Sequence, residues 1–259
     1  MLIRYCEYGE RKVWKVVNVP SEEAEDERHD CREPERLKQE LISLNNRIKS
    51  KLVLHGIRFG GHLRSLDLSK LRDWKGRPIP SRLMRELERS YLRWKLASDQ
   101  LGEVNQERDE RLQSPKTNAD KQAAKLKQLK GIGPIAGWLL SKEFFSWRNF
   151  ANRREVGGCA GLTGTPYNSG DSQRDQGISK SGNRSIRAVS VELAWSWIRY
   201  QPGSALTQWF VNYVGNGDGG RGSKRLRKAG IVAVARKLLV ALWKYLETDE
   251  LPEGAVLSI

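Results

Sequence analysis

The chain has 259 residues, enough for one or two domains with a hydrophobic core, and its net charge is +15 with a pI near 9.9. This positive excess predicts a polyanionic partner, nucleic acid first. No apolar run reaches the roughly 18 residues of a membrane span, so we expect no membrane association. The three cysteines are far apart and form no CxxC pair, which is typical of the reducing cytoplasm, and the three histidines lack the spacing of zinc ligands.

The N-terminal segment predicts one β-strand. Residues 11–19 are rich in valine and include Trp14, residue types that favour strands, and Pro20 closes the run. No comparable strand follows for roughly a hundred residues, and an unpaired apolar strand is unstable in water. Two interpretations remain: the strand packs alone, or its sheet lies upstream of Met1. We prefer the second.

Two long amphipathic helices are predicted after this strand. Ser21 is the expected N-cap of the first helix, which we expect to kink or restart at Pro34, and the second helix starts at Pro80 or Ser81. Apolar residues recur every three or four positions on both helices, at Leu37, Leu41, Leu44, Ile48 and Leu52 and at Leu83, Leu87, Tyr91, Trp94, Leu101 and Val104. With glycine breaks and a turn at residues 74–78 between them, they predict an antiparallel coiled coil. Its seam serves internal packing or a dimer interface.

The segment after residues 113–118 has the pattern of a helix-hairpin-helix. A short helix through Leu126 and Leu129 leads into Lys130-Gly131-Ile132-Gly133-Pro134, and a second helix follows. The glycines would let the backbone approach a phosphate, which amides at the start of the second helix would bind. Such contacts position DNA without reading its sequence. The alternative is an ordinary turn between helices with glycine at the C-cap, and the basic surroundings favour DNA.

A polar stretch punctuated by glycine, residues 167–184, lies between a short core helix at 152–162 and a helix that starts after Asn183. We predict a loop here, the kind of element that carries binding and chemistry in many proteins, with a solvated connection as the alternative. A second amphipathic helix is expected through Leu206 and Tyr213, and a central apolar helix over Ile231–Leu246.

Between those last two helices we predict a flexible glycine-rich link at Gly215–Gly222 and a basic run, Arg221–Lys228. The run has five cations and no acid. Its functional interpretation is a patch for the phosphate backbone. The alternative is a solvated helix start, which we consider weaker because anions rather than cations suit the N-terminus of a helix.

Four motifs in order resemble the C-terminal domain of the IS110 family of insertion-sequence transposases, the RNA-guided bridge recombinases. They are Leu129–Pro134, Gly161-Leu162-Thr163, Pro166–Gly170 and Gly177–Arg184. The coiled coil and the strand before it are also similar to that family. The resemblance therefore covers nearly the whole chain and implies DNA as substrate, a guide RNA as partner, and a homodimer or tetramer formed through the coiled coil.

The resemblance also implies the roles of individual residues. The family's nucleophilic serine matches Ser169, with Ser172 and Ser179 as alternatives. It would attack a DNA phosphodiester and form a phosphoserine link that a DNA hydroxyl later releases; such an attack needs an activating base or metal, and cations to spread the phosphate charge. The expected DNA- and phosphate-binding residues are Gly131, Ile132, Gly133, Arg174, Lys180, Asn183, Arg184, Arg187, Lys224, Arg225, Arg227 and Lys228.

The metal site of the family has no counterpart in the sequence. In the family, a RuvC-like N-terminal domain holds Mg²⁺ with an acidic tetrad that ends in an Asp-x-x-Asp pair. The only acids in residues 1–20 are Glu7 and Glu10, so nothing there matches that pair. We therefore expect a chain that starts inside the RuvC-like domain, has no metal ligands or cofactor of its own, and does not cleave DNA alone.

The predicted fold class is mainly α: a coiled-coil hairpin, then a helical domain with a helix-hairpin-helix, with one orphan strand left from a RuvC-like α/β domain. The predicted domains are 1–20, 21–117 and 118–259. The leading function is a DNA transposase or recombinase that cuts and rejoins strands through a serine. The alternative is a non-catalytic helix-hairpin-helix DNA-binding module, and a third class is a basic structural or RNA-binding helical protein.

Overall fold

A computed structural model describes residues 2–9, 18–169, 172–215 and 221–258. Within these ranges the helices α1 to α9 span Leu2–Cys6, Glu22–Val53, Ser81–Gln113, Asn118–Lys127, Pro134–Leu140, Arg153–Cys159, Arg184–Tyr200, Ala205–Gly215 and Arg221–Thr248, and the strands β1 and β2 span Gly164–Ser169 and Ser172–Ile178. The predicted mainly α class is confirmed. Most of the strand expected at 11–19 and of the link expected at 215–222 lies outside the described residues.

Helices α2 and α3 form an antiparallel pair. Near one end of the pair, Lys51 Nζ of α2 lies 2.8 Å from Glu86 Oε1 of α3, and near the other end Arg111 of α3 pairs with Asp30 of α2. Their antiparallel direction is as expected, whereas coiled-coil packing between them stays a prediction. The described part of the chain contains no helix with the length and hydropathy that crossing a membrane requires.

The predicted N-cap of α2 is confirmed. Of the two outcomes expected at Pro34, the restart is wrong and the kink stays a prediction. The Ser21 hydroxyl accepts a hydrogen bond from the Ala24 amide at 3.2 Å. The helix then continues through Pro34 to Val53. Proline removes one backbone hydrogen bond from a helix interior. On either side of Pro34, α2 is fixed by tertiary contacts: Arg28 and Arg32 pair with Glu143 before it, and Leu37, Ile48 and Leu52 are buried after it.

The connector between α2 and α3 has a small core of its own. Gly56, three residues past the end of α2, has φ of +75°, which suits glycine. Asp73 organises the expected turn, since its amide donates to the Arg77 carbonyl and its Oδ1 accepts from two turn amides. The buried cluster beneath consists of Ile48, Leu52, Leu63, Leu66, Ile79 and Leu87. The turn prediction at residues 74–78 is thereby confirmed.

The C-terminal core is built around α9. Val234, Leu238 and Leu242 of this helix are fully buried and belong to one cluster with Trp197 of α7 and Phe144. The helix was predicted from Ile231, but it starts ten residues earlier, at Arg221. The basic run is therefore the start of the central helix, and the structure corrects our preference against a helix start.

The polar stretch predicted as a loop starts with an antiparallel β-hairpin, which corrects that prediction. Thr165 pairs with Gln176 and Tyr167 with Arg174, and the register shifts between Gly164 and Thr165. The segment lacks the β-branched runs that favour strands, so local propensity gave no signal. A two-stranded hairpin is marginal by itself. Here the chain just past β2 is tied back by the Ser179 amide, which donates to the Thr163 carbonyl at 2.8 Å.

A buried ammonium group joins the α2–α3 pair to the C-terminal helices. Residues 141–145 continue α5 as a π-helical turn, and the Lys142 side chain in this turn is fully buried. Its Nζ lies 2.8 Å from Asp120 Oδ1, which is also fully buried, 3.4 Å from Glu27 Oε1 and 3.5 Å from Asp30 Oδ2. Arg111 Nη2 lies 3.0 Å from the same Asp120 oxygen. The positive charge of Lys142 is thus balanced by acids from α2 and α4.

The neighbouring residue makes a second ionic contact with α2. The Glu143 side chain is 7% exposed, and its two oxygens each accept a 3.0 Å hydrogen bond, one from Arg28 Nε and one from Arg32 Nε. Glu25 pairs with both arginines in turn. Lys142 and Glu143 are adjacent in sequence and carry opposite charges, so one π-helical turn fixes α2 by two independent sets of ion pairs.

Replacing Lys142 by methionine should strongly destabilise the protein. The Lys142→Met change keeps the side-chain volume but leaves Asp120 buried beside Arg111 alone, and breaking a buried pair costs about 3–5 kcal/mol. We expect the free energy of unfolding in urea to fall by an amount of that order. Lys70→Met removes the exposed pair with Asp67 and serves as the control, with an expected change below about 1 kcal/mol. Equal losses in the two variants would contradict the assigned role.

The stability of the protein should fall in acid because of Asp120. Burial opposes ionisation of this carboxyl, but Lys142 and the Thr117 and Lys116 amides outweigh burial and lower its pKa from 3.8 to about 2. The ionised form is therefore favoured by folding, so its contribution is complete above pH 3.8 and is lost as the pH falls through 2. The shift corresponds to about 2 kcal/mol. Unfolding of wild type and Asp120→Asn between about pH 2 and 6 should show a stability difference that shrinks toward acid; a constant difference would contradict this.

Candidate nucleic-acid interface

The predicted nucleophile lies at the tip of the β-hairpin. Ser169 is the last residue of β1 and pairs with Ser172, the first residue of β2. The predicted phosphate-binding residue Arg174 lies in β2, opposite Tyr167. The side chains of all four residues are outside the part that the structure describes. The backbone therefore places two of the three candidate serines next to each other, and the third, Ser179, just past the end of β2.

Two glycines bring the segment after the hairpin into backbone contact with the end of α6. A Cβ on Gly182 would lie 2.2 Å from the Cys159 carbonyl oxygen and 2.5 Å from the Gly161 nitrogen, distances that no side chain tolerates. Gly161 has φ of +66°, and a Cβ there would lie 2.8 Å from the Gly182 nitrogen. The Asn183 amide donates to the Cys159 carbonyl at 3.1 Å. We call this contact the glycine crossing; it fixes where residues 179–184 lie.

The predicted phosphate-binding residues near the glycine crossing are of two kinds: two are exposed cations, and two form hydrogen bonds with the protein backbone. Lys180 and Arg184 are exposed and form no ion pair with a described acid. Lys180 also has φ of +56°, an uncommon conformation for a residue other than glycine, which its neighbours must hold. Asn183 instead caps α7, accepting from the Ser185 and Ile186 amides at 2.9 and 3.2 Å. Arg187 Nη1 donates to the Ala160 and Gly182 carbonyls, both at 3.4 Å.

The predicted helix-hairpin-helix corresponds to α4, a turn and α5. Gly131 has φ of +93°, and its carbonyl accepts from Ser196 Oγ at 2.6 Å, so this glycine packs against α7. The Ile132 side chain is 4% exposed and belongs to the core, and its amide donates to the Leu129 carbonyl. Gly133 is exposed with open space around it. Of the three turn residues predicted to meet a phosphate, Gly133 alone has both an exposed position and open surroundings.

Four cations of the basic run are exposed on the first turns of α9. They are Lys224, Arg225, Arg227 and Lys228. Lys224, Arg227 and Lys228 are spaced so that they share one side of the helix. The Arg227 guanidinium lies 5.1 Å from the centre of the Trp195 ring, on α7. The run is therefore an ordered cationic surface that is attached to the core through α9.

A cleft that the sequence did not indicate lies between the α2–α3 pair and the C-terminal helices. It has a volume of about 400 Å³, and its walls come from α2, α3, α5 and the start of α7. Its basic side chains are Arg28, Arg32, Lys38 and Arg108, and Asn183 and Ser185 lie at its rim. These residues are scattered along the sequence, so only the assembled fold brings them together.

The described residues do not fit a magnesium ion. No group of three or more histidine, cysteine, aspartate or glutamate side chains in the described part of the chain is arranged to hold a metal. Glu27, Asp30 and Asp120 do approach one another, but Lys142 Nζ lies between them. Cys31 does not supply a nucleophile, because burial raises the pKa of its thiol well above the ordinary value.

Comparison with known proteins connects this geometry to a family. Residues 123–208, which include the second half of α4, α5, the β-hairpin and the glycine crossing, match the family described as Transposase IS116/IS110/IS902 family. Over these residues the chain is similar to the IS110/IS116 transposases. The match covers the segment that contains the four motifs of the resemblance.

Two transposases show how far the similarity extends. A putative transposase, y4rJ, of Sinorhizobium fredii (strain NBRC 101917 / NGR234) is 39% identical over 260 residues, which cover 96% of this chain and 64% of that protein. The transposase for insertion sequence element IS1328 of Yersinia enterocolitica is 28% identical over 134 residues, which cover 51% of this chain and 38% of that protein. The chain thus spans less than two thirds of the length of either relative.

A methyl group added at the glycine crossing should disrupt it. In Gly182→Ala the new Cβ meets backbone atoms, which cannot rotate away, so we expect a loss of about 2–4 kcal/mol of unfolding free energy or a failure to fold. Gly158→Ala is the matched control, because it lies in α6 close to the crossing with no atom within 4 Å of the added group. A helical glycine gains up to about 1 kcal/mol from this change. If thermal unfolding shows the same change in stability for Gly182→Ala as for Gly158→Ala, the close backbone contact at Gly182 is refuted.

Proposed function

We propose that the chain acts as a DNA transposase or recombinase of an insertion sequence, binding DNA and cutting and rejoining strands through Ser169. The observation that carries the proposal is the family match over residues 123–208. This segment contains the hairpin with Ser169 and, after the hairpin, the glycine crossing with Lys180 and Arg184. The net charge of +15 and the exposed cations of α9 support a DNA substrate.

In the proposed reaction, the Ser169 hydroxyl oxygen attacks a DNA phosphorus atom. The bond between phosphorus and serine oxygen forms, the bond to one deoxyribose oxygen breaks, and that oxygen leaves as a hydroxyl after taking up a proton. A hydroxyl of the second strand then attacks the phosphoserine, which joins the strands and restores the serine. Lys180 and Arg184 would spread the negative charge of the five-coordinate phosphate. The serine needs a base or metal to remove its proton, and none of the described residues is assigned that role.

The resemblance adds two partners to the proposal. One is a guide RNA that selects the DNA target. The other is a second copy of the chain, giving a homodimer or tetramer through the α2–α3 pair. Leu92 and Leu96, one turn apart on α3, are 64% and 60% exposed, and Ile42 of α2 is 53% exposed. Exposed apolar side chains on a long helical pair support association between copies.

The nucleophile can be tested with a substrate whose leaving group needs no proton. An oligonucleotide that ends in a p-nitrophenyl phosphodiester carries a leaving group that needs no proton, so serine attack should release p-nitrophenolate and leave the DNA covalently bound to the protein. We expect this adduct in the wild type, located by peptide mass spectrometry at Ser169, and its loss in Ser169→Ala. An adduct that persists in Ser169→Ala would refute the assignment and transfer the role to Ser172 or Ser179.

A non-catalytic helix-hairpin-helix DNA-binding module is the second candidate, favoured by the exposed Gly133 turn and the α9 cations, which do not depend on Ser169. The same variants distinguish the two. Ser169→Ala should bind duplex DNA as tightly as the wild type under both proposals. If the wild type binds duplex but never forms the adduct, the chain is a binding module and the serine assignment fails.

A further inference from the structure

The segment after α9 returns to the turn between α4 and α5. The Ser258 amide donates to the Gln128 carbonyl at 2.7 Å. The Lys130 amide donates to the Val256 carbonyl at 3.1 Å. We call residues 253–258 the C-terminal strap. It lies against the predicted helix-hairpin-helix turn, although α5 to α9 separate the two in sequence.

A single buried side chain, Gln201, ties the strap to the turn. Gln201 directly follows α7 and is 1% exposed. Its Nε2 donates to the Lys130 carbonyl at 2.8 Å and to the Val256 carbonyl at 2.7 Å, and its Oε1 accepts from the Val256 amide at 2.9 Å. The side-chain amide therefore uses both donor hydrogens and its oxygen to join two backbone segments.

The strap is itself fixed to the start of α8. The Ala205 amide donates to the Glu253 carbonyl at 3.1 Å. Gly254 has φ of +69°, and a Cβ added there would lie 2.5 Å from the Gly203 carbonyl oxygen, so the two backbones are in direct contact. Gln201 thus connects the turn to a segment that the core already holds in place.

The contacts with α7 also direct two carbonyl groups of the turn toward the protein. The Lys130 carbonyl accepts from Gln201, and the Gly131 carbonyl accepts from Ser196 Oγ at 2.6 Å. A carbonyl oxygen carries partial negative charge and repels a phosphate. Because both oxygens are occupied by donors of the protein, they do not oppose an anion that approaches the exposed side of the turn.

Lys130 brings a positive charge to that exposed side. Its side chain is exposed and forms no ion pair with an acid in the described part of the chain. Its backbone, by contrast, is bonded through the amide to Val256 and through the carbonyl to Gln201. Gly133, with open space around it, follows three residues later. One turn therefore combines an ammonium group and accessible backbone, and Gln201 sets the position of that turn.

We propose that Gln201 is a positioning residue for DNA binding, which holds the turn so that the Lys130 ammonium group contacts a DNA phosphate. The inference rests on the proposed function and deepens it, because it names a phosphate contact and a residue that acts on it without touching DNA. Loss of a phosphate contact reduces counterion release and lowers the dependence of affinity on salt. A change at Gln201 that alters no charge should therefore have the ionic signature of a lost lysine.

The test measures the affinity of the full chain for a duplex oligonucleotide at several salt concentrations. Lys130→Gln removes one cation, so the slope of log affinity against log salt should become shallower by about 0.9. Its affinity deficit then grows about eightfold for each tenfold reduction in salt. Gln201→Leu should show the same change. The double variant should show no further change, because both substitutions act on one contact.

Ser204→Ala is the matched control for a loss of stability. Ser204 is also buried and also lies between α7 and α8, but its hydroxyl bonds Trp197 Nε1, at 2.8 Å, and Thr207 rather than the turn. The variant should lower the unfolding temperature and leave the salt slope unchanged.

Val256→Pro breaks the same connection from the strap. It removes the amide that donates to Gln201 Oε1, because proline has no N–H group. We expect it to reproduce the salt slope of Gln201→Leu, and it takes the place of that variant if Gln201→Leu does not fold.

Hydrogen exchange provides a measurement without DNA. The Lys130 amide, which is bonded to the strap, should exchange about tenfold faster in Gln201→Leu and Val256→Pro than in the wild type, because the hydrogen bonds that hold the strap are lost. In Lys130→Gln and Ser204→Ala its rate should stay near the wild-type value. An unchanged rate in Gln201→Leu would show that Gln201 does not hold the turn.

The binding data can overturn the proposal in three ways. If Gln201→Leu weakens binding by the same factor at every salt concentration, the loss reflects unfolding. If Lys130→Gln keeps the wild-type slope, the lysine contacts no phosphate. If the double variant loses a further contact, Gln201 acts elsewhere. A wild type that binds no duplex would refute DNA binding itself, whereas a wild type that binds and an unchanged Lys130→Gln slope overturn this proposal alone.

Discussion

The buried Lys142 ammonium constrains the whole arrangement, because a charge without water must have counter-charges in place. Those counter-charges are the acids Glu27 and Asp30 of α2 and Asp120 of α4, and Arg111 of α3 is a second cation beside Asp120. Buried ion pairs contribute little net stability compared with apolar packing, but a misplaced partner is very costly. The ion pairs therefore favour one position of the α2–α3 pair over others. The cleft of about 400 Å³ and the rim at Asn183 follow from that position.

The second constraint is the contact between backbones at Gly161 and Gly182. It fixes residues 179–184 against the end of α6. Helix α6 in turn packs closely on α9, since a Cβ added at Gly157 would lie 3.3 Å from the Arg236 side chain. The candidate cations Lys180 and Arg184 are thus positioned by the core, although both are exposed. At the same contact, Asn183 and Arg187, which were predicted to bind phosphate, form hydrogen bonds with the protein backbone instead.

The helices were predictable from the sequence, whereas the contacts between them were not. Ser21 and Asn183 are caps whose side-chain oxygens accept backbone amides, and the three- to four-residue apolar repeat of α2 and α3 is a local signal. The β-hairpin escaped prediction because its backbone pairing needs no particular residue type. The Lys142 cluster and the cleft join residues that are far apart in sequence. The spacing of Leu206 and Tyr213 predicted a helix, but it gave no information on the exposure of Tyr213.

The early start of α9 changes how its cations should be understood. A basic run in an irregular link would have to be ordered on binding, at a cost of about 1–2 kcal/mol per residue in backbone entropy. Here the backbone of Lys224, Arg225, Arg227 and Lys228 is already helical, and the same helix continues into the fully buried Val234 and Leu238. The cationic surface is preorganised: folding of the core has already placed it, and a polyanion meets charges whose spacing is set before contact.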